Sequence, residues 1–147
     1  MTTAFADYVA TQDARNTLHL NIRKWCLMLI DALKGNYCQY SISGHKHYVE
    51  KGENAQYHIA CIEKLRKGDC PIDYEIETGR KYHKIIFIDG GGSRSVHCFV
   101  DRSTGEVYKS ASWKSPAKDV RYDLRLITDR EWLYEHADWA GGYLYKK

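Results

Sequence analysis

Between Asn16 and Leu33 the apolar residues Leu18, Ile22, Trp25, Cys26, Leu29, Ile30 and Leu33 recur at steps of three and four. Residues so spaced lie one above another on a helix of 3.6 residues per turn, so the stretch predicts an α-helix with one buried stripe. Gly35 follows and is read as its stop. Upstream, Phe5, Tyr8 and Val9 are read as a short helix of their own or a turn leading into the first. A second helix is expected over 53–67, where Ala55, Ile59, Ile62 and Leu65 share a face and Gly68 follows. Between the two helices, 37–42 and Tyr48 are ambiguous.

After Pro71 the period changes to two. Ile72, Tyr74 and Ile76 alternate with Asp73, Glu75 and Glu77, the pattern of a half-exposed strand. Lys84-Ile85-Ile86-Phe87-Ile88 is apolar on both parities, which predicts a central strand covered on both faces, with helices over the sheet. Gly90-Gly91-Gly92-Ser93 turns the chain into a strand over 95–101, and Ser103-Thr104-Gly105 turns it again into one over 106–112. Pairing across that second turn puts Phe99 near Tyr108 and His97 near Ser110. Ser115-Pro116 suits a helix start, serine as N-cap and proline in the first turn, where its missing N–H costs nothing. Thr128-Asp129-Arg130-Glu131 has the form of a capping box for a short helix carrying Trp132, Leu133 and His136. Gly141-Gly142 then leaves Tyr143-Leu144-Tyr145 as a terminal strand or packed tail. These elements define one domain over 1–147 with an α+β fold, an antiparallel β-meander of at least three strands with helices packed against it.

Composition changes this picture little. The chain has 147 residues, 44% hydrophobic and 28% charged, values that favour an ordinary globular core over disorder or a fibrous repeat. The longest apolar run, Trp25 to Ile30, is too short to cross a bilayer, and the start lacks a charged leader region, so no membrane association and an intracellular address are expected. Five cysteines without a CxxC pair point to reduced thiols. A net charge of +3 favours acidic ligands slightly, and the local distribution of charge matters more.

That distribution singles out Lys109 to Tyr122, with four basic residues, two aromatics and three serines in fourteen positions. Free N–H groups at a helix starting at Pro116 would attract an anion. Lys109, Lys114, Lys118 and Arg121 would add charge-assisted contacts to phosphate oxygens, Ser112 and Ser115 hydrogen bonds, and Trp113 or Tyr122 a stacking face. The plainer reading of the same residues makes Trp113 a core anchor and the lysines a solvated surface. His97 could line a pocket with Tyr108, Ser110 and Ser112, but no positioned carboxylate or oxyanion hole accompanies it, so no catalytic residue is assigned. The loop 89–95 matches neither GxGxxG nor GxxxxGK[ST], and a hairpin explains its glycines better than an anion nest closed by Arg94. His45-Lys46-His47 lacks a second ligand pair at zinc spacing and there is no HExxH, so neither metal nor cofactor is expected.

Several stretches of the second half also resemble a known group. Gly79-Arg80-Lys81-Tyr82, Ser95 to Asp101, Thr104-Gly105-Glu106-Val107, Lys109 to Lys118, Arg121 to Leu124 and Ala140 to Tyr145 together resemble small uncharacterised proteins of tailed bacteriophages. The resemblance implies a virus-encoded protein working in the cytoplasm of the bacterial host, where such accessory proteins interfere with host pathways or nucleotide-based defence. It implies no activity. The reading that follows is a non-catalytic binder of a phosphate-bearing small molecule, a nucleotide, sequestering a host nucleotide signal. The alternatives are a single-stranded nucleic-acid-binding protein, or a small virion or interaction protein that meets a host protein through Trp113.

Overall fold

The computed structural model describes Ala6, Val9 and residues 11–145. Phe5 and Tyr8, read above as part of a short leading helix, lie outside them. The first element, α1, is a single helix over Gln12–Lys51. At 1.5 Å per residue its 40 residues span about 60 Å. Gly35 does not stop it. A glycine inside a helix costs only about 1 kcal/mol relative to alanine, and the buried stripe continues past it through Tyr37, Cys38 and Ile42. The true stop is Gly52, at φ 74°, where the N–H groups of Gly52 and Glu53 donate back to the carbonyls of Val49 and Tyr48. Helix α2, Ala55–Arg66, folds back along the second half of α1 and packs Ile62 and Leu65 on Ile42.

Five strands follow: β1 Asp73–Thr78, β2 Tyr82–Ile88, β3 Arg94–Asp101, β4 Glu106–Lys109 and β5 Tyr122–Asp123. They pair antiparallel in chain order, so the sheet is a meander with β2, β3 and β4 inside it. Local chemistry sets the turns. The Asp89 carboxylate accepts the N–H groups of Gly91 and Ser93, which makes the glycine loop a hairpin turn, and Arg94 pairs with Glu75. The Asp101 carboxylate likewise accepts those of Ser103 and Thr104, and Gly105 takes φ 77° against Ile22 and Leu124. The register from this turn pairs Phe99 with Tyr108, as expected.

The core forms where Ile22, Cys26, Leu29 and Leu33 of α1 meet Ile85, Cys98, Val100, Val107 and Leu124. Helix α3, Ile127–His136, adds Leu133 to the same face. Its capping box does not form: the helix begins one residue before Thr128, and Asp129 accepts the N–H of Asp123 instead. The other face of β2 and β3 carries Ile86 and Phe99, both buried. Lys84 and Arg94 lie over the Trp113 ring on that face, so a loop rather than a helix provides its cover.

Beyond α3 a 3-10 turn, Gly142–Tyr145, closes the described chain as a packed tail. Its anchors are distant in sequence. The Trp139 N–H donates to Asn36 of α1, and its ring packs edge-on against Tyr37 and beside Phe87. The hydroxyl of Tyr122 donates to the carbonyl of Tyr143 at 2.7 Å.

An unbroken α1 has a direct test. A Cβ added at Gly35 or Gly44 would meet nothing within 4 Å, so Gly35→Ala and Gly44→Ala should each raise unfolding stability by about 0.5–1 kcal/mol. Urea denaturation followed by circular dichroism measures this. A helix ending at Gly35 in a left-handed cap would give a loss instead.

Candidate functional site

The basic segment after β4 is not helical. Ser110 bridges Pro116, the N–H groups of Ala111 and Ser112 both donate to the Ser115 carbonyl, and the Ala117 N–H donates to Lys109. The chain therefore leaves β4, turns and returns beside it, and the Arg121 N–H donates to Val107 on the way into β5. Pro116 tolerates this because its fixed φ suits extended backbone beside a strand as well as a first helical turn. Ser115 is accordingly no N-cap. The Ser112 hydroxyl accepts the N–H groups of Lys114 and Ser115, holding the turn. Asp119 takes φ 72°, so Lys118 and Arg121 do not share a helical face.

The nine residues proposed from sequence are thus separated. Ser112, Lys114, Ser115 and Lys118 lie exposed along the excursion, and Arg121 is half-buried at its return. Trp113 is 40% exposed over the sheet face opposite the helices, with the Lys84 ammonium 4.6 Å and the Arg94 guanidinium 5.8 Å from its ring. Tyr122 is core: it is 3% exposed, stacked on Trp132, with Tyr143 also beside its ring. It offers no free face to a base in the cleft described next.

His97 and Lys109 do come together. They line a cleft of about 400 Å³ between the ends of β2, β3 and β4 and the C-terminal turn, with Ser95, Ser110, Trp139 and Tyr145. A β-bulge makes this possible. Ile85 pairs with Cys98, but Ile86 pairs with Val96, so His97 is an extra residue in β3. Strict alternation from Cys98 would turn His97 to the Trp113 face; the bulge re-aims its ring toward the tail instead. There Nε2 hydrogen-bonds the Tyr143 hydroxyl at 2.7 Å, and the ring meets Tyr74 edge-on.

Burial among these aromatics lowers the His97 pKa to about 4, against a smaller raising effect from Asp138. The ring is therefore neutral near pH 7, a hydrogen-bonding wall rather than a charge. The Lys109 ammonium supplies the charge, 4.7 Å from the Tyr145 ring and 3.4 Å from the Ser110 carbonyl. The Ser110 hydroxyl donates to Val96, so the histidine and this serine do not form a base and nucleophile pair. Asp138 shapes the remaining wall by accepting the N–H groups of Gly142 and Tyr143.

Ser95, Trp139 and Tyr145 were not among the residues proposed from sequence. Tyr145 carried a signal, since a tyrosine after two glycines marks a packed tail; Trp139 carried none, because its partners Asn36, Tyr37 and Phe87 are remote in sequence. The two histidines nearest each other are His45 and His58, whose Nδ1 atoms are 2.7 Å apart, rather than His45 and His47. Among the described residues no three His, Cys, Asp or Glu side chains are grouped to hold a metal ion. None of their helices is long and apolar enough to cross a membrane.

The chain is thus an α+β meander with a polar cleft beneath its C-terminal turn. The chain belongs to DUF7717, a family of unknown function that matches residues 5–146. Neither the curated proteins nor the solved structures include a match.

Two histidines held neutral give the fold a defined acid response. His97 and His83 both hold a pKa of about 4, His83 through burial and the nearby Arg23 and Arg102. An unfolded chain takes up protons on these rings as pH falls through about 6.5 while the folded chain does not, so stability present above that pH is lost progressively down to pH 4. Urea midpoints from pH 7.5 to 4.5 should fall for the wild type and fall less steeply for His97→Asn, which cannot titrate. Equal slopes would show that His97 is not held neutral. In a direct NMR titration of the wild type, the His97 ring protons should begin to shift only below pH 5.

Proposed function

We propose that the protein is a non-catalytic binder of a phosphate-bearing small molecule, a nucleotide, held in the cleft beneath the C-terminal turn. The observation that carries this reading is the meeting of Lys109, whose ammonium lies over the Tyr145 ring, with Ser95, Ser110 and Trp139 around one hollow. A phosphate needs a cation, which Lys109 supplies, and the aromatic surface of Trp139 and Tyr145 suits the apolar remainder of such a ligand. His97, neutral and tied to Tyr143, serves as wall and hydrogen-bond partner. With the bacteriophage resemblance, the role becomes retention of a host nucleotide signal by a viral protein in the host cytoplasm.

A second reading draws on the opposite sheet face, where Tyr82 lies edge to face with Phe99 and with Tyr108, and Lys84 lies over the rings of Phe99 and Trp113. Aromatic rings with cations on a sheet suit single-stranded nucleic acid. It ranks second because the cations nearest Trp113 already have acidic partners, Lys84 with Glu77 at 3.6 Å and Arg94 with Glu75.

Calorimetric titration of purified protein with nucleoside monophosphates tests the first reading, with circular dichroism as the folding control. Lys109→Gln should weaken binding at least tenfold, since a charge-assisted hydrogen bond is worth roughly 1.5–3 kcal/mol. Lys118→Gln and Trp113→Ala should change it less than twofold. Unchanged affinity in folded Lys109→Gln would overturn the cleft. Binding that needs Trp113, grows with oligonucleotide length and falls steeply with salt would establish the second reading instead.

A further inference from the structure

The C-terminal turn borders two hollows. Besides the cleft it borders a larger one, about 660 Å³, lined by Tyr122, Thr128, Asp129, Trp132, Tyr143 and Tyr145. Tyr145, 71% exposed, borders both hollows. A ligand that straddles this one side chain occupies both.

The second hollow differs in chemistry from the first. Its walls are rings, with Trp132 stacked nearly parallel on Tyr122 at 5.3 Å, and its charged group is a carboxylate instead of an ammonium. Asp129 is held in orientation because its Oδ2 accepts the Asp123 N–H at 2.9 Å, and it makes no ion pair among the described residues. A carboxylate only accepts hydrogen bonds, and its two oxygens can take two parallel donors. It repels phosphate, so this hollow suits the other end of a nucleotide.

The base edges differ in how they meet such a group. Guanine presents two adjacent donors, the ring N1–H and the exocyclic N2 amino group. Adenine and cytosine place a ring acceptor beside their amino group, and uracil flanks its single N–H with two carbonyls, so each would set a lone pair against the carboxylate. Resting on the nucleotide reading above, we propose that the ligand is a guanine nucleotide, its base against Asp129 in the aromatic hollow and its phosphate at Lys109 in the cleft.

The test compares guanosine, inosine and adenosine 5′-monophosphates by calorimetry on the full chain. Inosine lacks only the N2 amino group, so guanosine monophosphate should bind at least tenfold tighter than either of the others. Asp129→Asn keeps an acceptor for the Asp123 N–H but removes the charge and should abolish that preference. Equal affinity for all three nucleotides, with dependence on Lys109 intact, would overturn the guanine assignment and leave the phosphate cleft standing. So would a guanine preference that survives in folded Asp129→Asn. No binding of any nucleotide would overturn both. The guanosine and inosine comparison uses the wild-type chain alone, so it decides the question even if the variant does not fold.

Discussion

Four residues of α1, Ile22, Cys26, Leu29 and Leu33, are fully enclosed against the inner face of the sheet. That contact places the sheet, α3 and the tail relative to α1. The stripe sets the helix across β2, β3 and β4, and it brings Trp25 and Asn36 to where α3 and the tail can reach them. Burying several large side chains of this kind contributes roughly 1.5–3 kcal/mol for each. The hydrogen bonds that fix the tail add only about 0.5–1.5 kcal/mol each. Loss of the stripe would therefore release the tail as well, whereas loss of a tail contact would leave the sheet intact.

The candidate site depends on a departure from regularity within that frame. One extra residue in β3 turns His97 under the tail, and Tyr143, Tyr122 and Asp138 then hold the turn that walls the cleft. Elements on three sides bring a neutral ring, a lysine and aromatic surface around one cleft.

Much of the sheet was legible because its signals are local. The alternation Ile72, Tyr74, Ile76, the doubly apolar 84–88 and the turn at Ser103-Thr104-Gly105 each act over a few residues, and they gave the meander and the pairing of Phe99 with Tyr108. The longer reach of α1 was hidden because Tyr37, Ser41 and His45 read as polar or aromatic punctuation until α2 and Trp139 are seen beside them. Pro116 was misread as a helix start because proline fits both outcomes, and the deciding bonds come from β4. Of the site, His97 and Lys109 were found through charge and pairing. The bulge left no trace in Ser-Val-His-Cys-Phe-Val-Asp, and Trp139 owes its place to contacts about a hundred positions away.

That distance has a consequence for the order in which the molecule is made. Helices α1 and α2, the sheet and the stripe are complete once the first 125 or so residues have left the ribosome, and domains fold as such units emerge. The cleft and the aromatic hollow both take walls from Trp132 or Trp139 and from Tyr145, so neither exists until the last described turn has emerged and closed onto α1 and β3. In a nascent chain the stripe of α1 can thus meet the sheet before either hollow exists. Both hollows are thus late features, acquired when closing the longest loops in the chain becomes possible.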